Sequence, residues 1–226
     1  MGNIFLDIGI GVVELFYTFF IVFAMDYAVK KGLPQDVSRK IVHMWAGGLV
    51  IFWFFYTTDW GKYIFMVTPM IWVFLLVVTA LTKDENDPTV KSMTRTGNPK
   101  ELLLGVLFFP LMLIIMTVIG YRTLAGVIAI ASVGFGDGIA PIVGKYFGKH
   151  KYKLLGRKKS IEGSIGVFVG TLVPSIIMSI VFFGTLNLTL IAIASLVAVV
   201  LEAISPSDVD NFIVPLGVWF LIKYLP

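Results

Sequence analysis

The chain has 226 residues, 58% of them hydrophobic, with a mean hydropathy of +0.91 and no cysteine. Soluble domains are about 45–50% apolar, and here the excess is gathered into long runs with few charges, which excludes an ordinary water-soluble domain. A formal net charge of +4 does not by itself indicate nucleic acid, because membrane proteins keep Lys and Arg in cytoplasmic loops, and the lack of cysteine excludes disulfides, thiolate metal sites and cysteine nucleophiles.

A span needs about 20 apolar residues to cross roughly 30 Å of hydrocarbon. The first run, 4–28, carries Asp7 and Glu14 and follows no basic stretch, so it reads as a span and not as a cleaved signal peptide. Further spans are expected at 41–57, 63–82, 102–121, 124–135, 165–183 and 186–201. The fifth ends at Gly136-Asp137-Gly138, where a helix break or an exit from the bilayer core is expected. The final run, 212–225, is short and reads as a tilted or re-entrant helix. The expected fold is therefore all-α: a polytopic helical bundle of 7–8 transmembrane helices, forming a single membrane-embedded domain over 1–226.

Charge asymmetry sets the orientation. With the N-terminus outside, all but Lys62, Arg122 and Lys223 of the 18 Lys and Arg fall inside. The polar clusters then collect on the cytoplasmic face: Arg39/Lys40/His43, Arg95 to Glu101, Asp137 to Glu162, and Asp208/Asp210/Asn211. A composite active site needs such a gathering; a bare structural bundle does not. The Asn187-Leu188-Thr189 sequon falls outside, in a link very close to the membrane.

The largest cluster, 134–164, holds Lys145, Lys149, Lys151, Lys153, Arg157, Lys158 and Lys159 between Asp137 and Glu162. Its glycines fit neither a P-loop nor the dinucleotide GxGxxG pattern, because Lys145 is followed by Tyr146 and Ile139 stands at the third-glycine position. The ingredients of a polyphosphate–metal site are nevertheless present. Glycines let backbone N–H groups approach an anion, Lys145, Lys158 and Lys159 can hold phosphates, and Asp137 and Asp210 can carry a divalent cation. A carboxylate beside an apolar helix is costly unless it faces a polar cavity, which singles out Asp137.

Simpler roles stand beside these. Lys149, Lys151 and Lys153 also read as a topology signal or an anionic-lipid contact. Gly144 and Gly148 form a small-xxx-small packing pair. Arg39 and Lys40 serve equally as snorkelling anchors one turn from His43. Glu101 and the Asp208–Asn211 segment suit helix starts.

The motifs Asp137-Gly138-x-Ala140-x-x-x-Gly144-x-x-x-Gly148-Lys149 and Lys159-Ser160-x-Glu162-Gly163-Ser164 resemble those of polyprenol kinases and phosphatidate cytidylyltransferases. Arg39-Lys40-x-x-His43 with Gly47, Lys100-Glu101-Leu102-Leu103-x-Gly105 and Asp208-x-Asp210-Asn211-x-x-x-Pro215-Leu216 resemble the kinase branch, which includes dolichol, phytol and CTP-dependent diacylglycerol kinases. The chain departs from that branch at Pro141, where a polar or acidic residue is usual.

The resemblance implies a multi-pass membrane lipid kinase that moves the γ-phosphoryl of CTP to a long-chain isoprenoid alcohol, with Mg²⁺ or another divalent cation. It implies catalytic roles for Asp137, Lys159, Glu162 and His43, with Asp137 and Asp210 as metal carriers. Nucleotide contacts are implied for Lys145, Lys158, Ser160, Gly136, Gly138, Arg39 and Lys40, and acceptor-side roles for Arg95, Glu101 and Asn211. Its partners would be CTP, the lipid alcohol and the bilayer, with no nucleic acid. The alternatives are a CTP:phosphatidate cytidylyltransferase, a diacylglycerol kinase using CTP, and a small transporter with Asp7, Glu14 and Asp26 as its relay.

Overall fold

A computed structural model describes residues 2–206 and 209–224. The fold is all-α apart from one short hairpin, and the chain divides into two compact units, Met1–Tyr121 and Arg122–Pro226. Among the described residues, five helices are long and apolar enough to cross a membrane: Ile4–Lys30, Gly61–Thr82, Leu102–Gly120, Leu124–Tyr146 and Ile161–Phe183.

In the first unit, helix α1 (Ile4–Lys30) starts at Asn3, whose side chain accepts from the N–H groups of Phe5 and Leu6. Phe16, Phe20, Phe23 and Tyr27, spaced three and four apart, form an exposed stripe along it. Such a stripe suits acyl chains and would be a liability in water. The acids of α1 turn inward instead. Asp7 accepts from the backbone N–H and the hydroxyl of both Thr57 and Thr58, at 2.5 to 2.9 Å. Glu14 accepts from the Tyr56 hydroxyl at 2.6 Å. Both carboxylates are fully buried, and a buried charge persists only when hydrogen-bonded in this way.

Helix α2 (Gln35–Gly47) runs into a 3₁₀ stretch, Gly48–Phe54. The second expected span is thus an earlier, polar helix that tightens where two glycines meet. Helices α3 (Gly61–Thr82), α4 (Pro88–Met93) and α5 (Phe108–Gly120) follow, α5 being preceded by a π-helical stretch, Leu102–Val106. Asp87 caps α4 through the Thr89 N–H at 2.9 Å. Ile21, Val22, Leu76, Val90, Met93 and Leu102 form a core cluster among these elements.

The second unit contains α6 (Leu124–Ala131), a π-helical stretch Ser132–Gly136, α7 (Asp137–Tyr146), strands β1 (Lys151–Leu154) and β2 (Arg157–Ser160), α8 (Ile161–Phe183), α9 (Leu188–Ile204) and α10 (Asp210–Tyr224). The break expected at Gly136-Asp137-Gly138 does not occur. The helix continues, with the Asp137 N–H reaching back to the Ser132 carbonyl, so one extra residue is accommodated by widening a turn. Asn187 of the sequon is the N-cap of α9, accepting from the Leu190 N–H at 3.0 Å. Helices α9 and α10, with 17 and 15 residues, are shorter than an ordinary span. Asp208 lies outside the described residues.

Glycines bring α7 and α8 together. A Cβ on Gly170 would lie 2.7 Å from the Phe135 carbonyl oxygen and 3.1 Å from the Gly136 Cα. One on Gly166 would lie 3.3 Å from the Ala140 Cα, and one on Gly163 3.5 Å from the Gly144 Cα. Inside a bilayer apolar burial gives helices no preference for each other over lipid, so close backbone approach is what holds this pair. Gly144 belongs to the seam as expected. Gly148 lies beyond the end of α7, where a Cβ would strike the Gly144 carbonyl oxygen, so it packs a turn and not a helix pair.

Gly170→Ala is expected to destabilise the protein by about 1–3 kcal/mol, because backbone atoms must move to admit the methyl. Gly9→Ala, which meets nothing within 4 Å, is expected to be neutral or stabilising. Thermal unfolding of both variants in the same detergent checks the contrast.

Candidate functional site

Within the basic cluster 134–164, residues 151–160 form an antiparallel hairpin. Its register pairs Lys151 with Ser160, Tyr152 with Lys159, Lys153 with Lys158 and Leu154 with Arg157. Leu155 and Gly156 close it with φ of 48° and 82°, the backbone of a two-residue type I′ turn. Strand alternation then sorts the cations onto two faces. Lys151, Lys153 and Lys158 are exposed, whereas Tyr152, Leu154, Arg157 and Lys159 are half-buried. Lys158 and Lys159, both expected as phosphate clamps, point to opposite faces.

The half-buried face grips helix ends. Lys159 Nζ donates to the Glu202 carbonyl oxygen and to Glu202 Oε1, both at 2.5 Å, and Arg157 Nη1 donates to the Ser205 carbonyl at 2.8 Å. From the hairpin's start, Lys151 Nζ donates to the Gly144 carbonyl at 3.1 Å. Cations are thus set on the carbonyl ends of α7 and α9, where the last turn leaves acceptors and a partial negative charge.

The start of α8 is tied to the same hairpin. Ser160, 5% exposed, is its N-cap and accepts from the Gly163 N–H at 3.1 Å. Glu162 accepts from the His150 N–H at 3.1 Å and pairs with His150 Nδ1 at 2.7 Å. The Tyr152 hydroxyl meets Ser164 Oγ at 2.7 Å. Gly144, Gly148 and Gly163 leave the room that the Ser160 hydroxyl occupies.

Asp137 opens α7, only 7% exposed, and Pro141 has no N–H to give its carbonyl. Gly134, Gly136 and Gly138 are buried in helix around it, not in an open loop. Lys145 is exposed at the end of α7, its Nζ 5.4 Å from the Tyr146 ring centre. Asp210 opens α10, accepting from the Asn211 N–H at 2.9 Å, and Asn211 is buried. Among the described residues no three of His, Asp and Glu cluster as a metal cage. Asp137 and Asp210 each open a helix of the second unit, and a carboxylate oxygen is the donor type that Mg²⁺ takes, one or two at a time, beside water and phosphate oxygens.

In the first unit, the His43 ring lies 4.2 Å from that of Phe109 and Lys40 is buried. Glu101 closes the 95–101 loop by accepting from the Arg95 N–H at 2.6 Å and from the Thr96 N–H and hydroxyl at 3.2 and 2.5 Å. Arg95 and Lys100 are exposed.

The cytidylyltransferase family matches residues 5–206. The chain is 33% identical to phytol kinase 1 of Arabidopsis thaliana, over 97% of this chain and 76% of the relative. It is 31% identical to a probable phytol kinase of Zea mays, over 87% and 68%, and 30% identical to the phytol kinase of Synechocystis, over 81% and 77%. The chain belongs to the cytidylyltransferase family, on its polyprenol kinase branch. No solved structure matches it.

For this family member the sequence reading missed Glu202, His150 and the hairpin. Alternating Tyr152/Leu154 and Arg157/Lys159 about a Leu-Gly turn is a hairpin signal, and a lone acid near the end of an apolar helix marks Glu202.

Glu101 also sets a pH limit on its loop. Partial burial pushes its pKa up, but the hydrogen bonds from Thr96 and Arg95 outweigh that and hold it below the ordinary 4.5. A depressed carboxylate stabilises the fold fully above its unfolded value and loses that contribution as pH falls through the folded one. Protection of the amides in residues 94–101, measured against the exchange rate of an unstructured chain at the same pH, is therefore expected to fall below pH 4.5, and in Glu101→Gln to be low already at neutral pH.

Proposed function

We propose that this chain is a multi-pass membrane lipid kinase that transfers the γ-phosphoryl of CTP to the hydroxyl of a long-chain isoprenoid alcohol. The observation that carries the reading is the similarity, over most of both chains, to relatives named as phytol kinases. The excess of cations in the loops assigned to the cytoplasm supports an N-terminus outside and chemistry at the inner interface. The acceptor's tail is costly to extract, at about 0.8 kcal/mol per buried CH₂, so a bilayer-embedded enzyme meets it where it resides.

Phosphoryl transfer depends mainly on positioning and charge neutralisation. Asp137 and Asp210 are proposed to hold Mg²⁺, which when bound neutralises phosphate oxygens. Lys159 binds a phosphate oxygen. Lys145 and Lys158 lie on exposed surface and steer the incoming nucleotide. Glu162 and Ser160 hold the hairpin and the start of α8 in place for Lys159. In the first unit, Arg39, Lys40 and His43 are proposed for the prenol hydroxyl, with Arg95 and Glu101 supporting the acceptor side.

The family's description keeps one second reading in view, CTP:phosphatidate cytidylyltransfer. CTP labelled at either the α or the γ position, offered with phytol, other prenols, diacylglycerol and phosphatidate, decides between them. Label from γ in a prenyl phosphate is expected. Label from α in the lipid would establish the second reading, and no labelled lipid under any condition would sink both. Asp137→Asn is expected to lower kcat about a hundredfold or more while unfolding at a similar temperature.

A further inference from the structure

We propose that Glu202 is a positioning residue that fixes the Lys159 ammonium so that it presents one N–H to a phosphate oxygen of the nucleotide. This rests on the kinase reading above. An ammonium carries three donors. Lys159 gives one to the backbone carbonyl of Glu202 and another to the side-chain carboxylate of the same residue, each at 2.5 Å. With two directions fixed, tetrahedral geometry fixes the third.

The surroundings hold this arrangement at both ends. Lys159 stands on β2 directly opposite Tyr152, whose hydroxyl is tied to Ser164 on α8. Two residues earlier on the same face, Arg157 grips the Ser205 carbonyl. The last turn of α9 therefore cannot drift from the strand without breaking several contacts. The Lys159 and Glu202 side chains are 18% and 13% exposed, which shields the pair from full hydration and leaves an approach for an anion.

Capping α9 would need only the carbonyl contact. The added carboxylate does something else: it balances the ammonium when no nucleotide is present, so no unpaired charge is left in a half-buried place. It also draws the ammonium to one side, which a backbone carbonyl alone does weakly. Glu202 touches neither nucleotide nor lipid in this role; it acts through Lys159.

The test uses the full chain in detergent with the nucleotide and prenol that support turnover. Glu202→Gln keeps the shape but loses the charge. It is expected to raise the nucleotide KM about tenfold, near 1.4 kcal/mol, with kcat and the prenol KM within about twofold. Glu202→Asp is expected to recover part of the loss and stands in where the Gln variant unfolds early. In a Lys159→Met background, Glu202→Gln is expected to add no further rise in nucleotide KM. A wild-type nucleotide KM in a folded Glu202→Gln variant, or effects that simply multiply in the double variant, overturns the proposal. If the wild-type chain turns over no lipid, the kinase reading fails instead. Calorimetric titration with inorganic pyrophosphate then tests the pair alone: equal affinity in wild type and Glu202→Gln overturns it.

Discussion

The second unit depends on how closely two helix backbones approach. Where α7 and α8 cross, Gly136, Gly144, Gly163, Gly166 and Gly170 remove the side chains that would keep the helices apart. In a bilayer this contact substitutes for the apolar driving force that water would supply. Much else follows from it. With the end of α7 and the start of α8 in contact, the chain between them has little distance to cover, and a hairpin of two four-residue strands covers it. Ser160 then reaches into space between glycines and caps α8 from there. Larger residues in the seam would separate the ends and leave the hairpin nothing to close over.

The hairpin in turn explains why so many cations sit in one short stretch. Lys151, Arg157 and Lys159 each meet a backbone carbonyl near the end of a helix, where acceptors would otherwise be left without donors. Lys153 and Lys158 face each other directly across the strands, a like-charge pairing that costs stability. Arg157 and Lys159 hold the scaffold from the half-buried face and Lys151 from the exposed one, and Lys153 and Lys158 stay on the exposed face.

This division was only partly legible in the sequence. Hydropathy identified the long helices because the bilayer requires long apolar runs, and the polar clusters were found because charges stand out against them. Asp137 was conspicuous for that reason. Its helical surroundings were not, because glycine in sequence suggests a break, and the widened turn at Ser132–Gly136 is set by packing against α8. The adjacent Lys158 and Lys159 looked equivalent until alternation separated them. Glu202 went unnoticed because its role comes from a partner 43 residues away. In the first unit, Asp7, Glu14 and Asp26 also admitted the alternative of a transporter's relay. The bonds that Asp7 and Glu14 make to Thr57, Thr58 and Tyr56 show two of these acids tying α1 to a loop.

Asp137 joins these strands of the argument. Just before it a π-helical stretch shifts the hydrogen-bond ladder, and four residues after it Pro141 removes one rung altogether. Proline at 141 supplies no N–H to the Asp137 carbonyl in the helical ladder, a change that concerns an acceptor and not a donor for the carboxylate. The two irregularities flank a buried carboxylate, and the glycines of α8 lie close against the same stretch. Backbone distortion of this kind is tolerated inside a membrane only where protein surrounds it. The Pro141 departure therefore lies in the same construction as the glycine seam: an irregular helix packed closely against its neighbour around a buried acid.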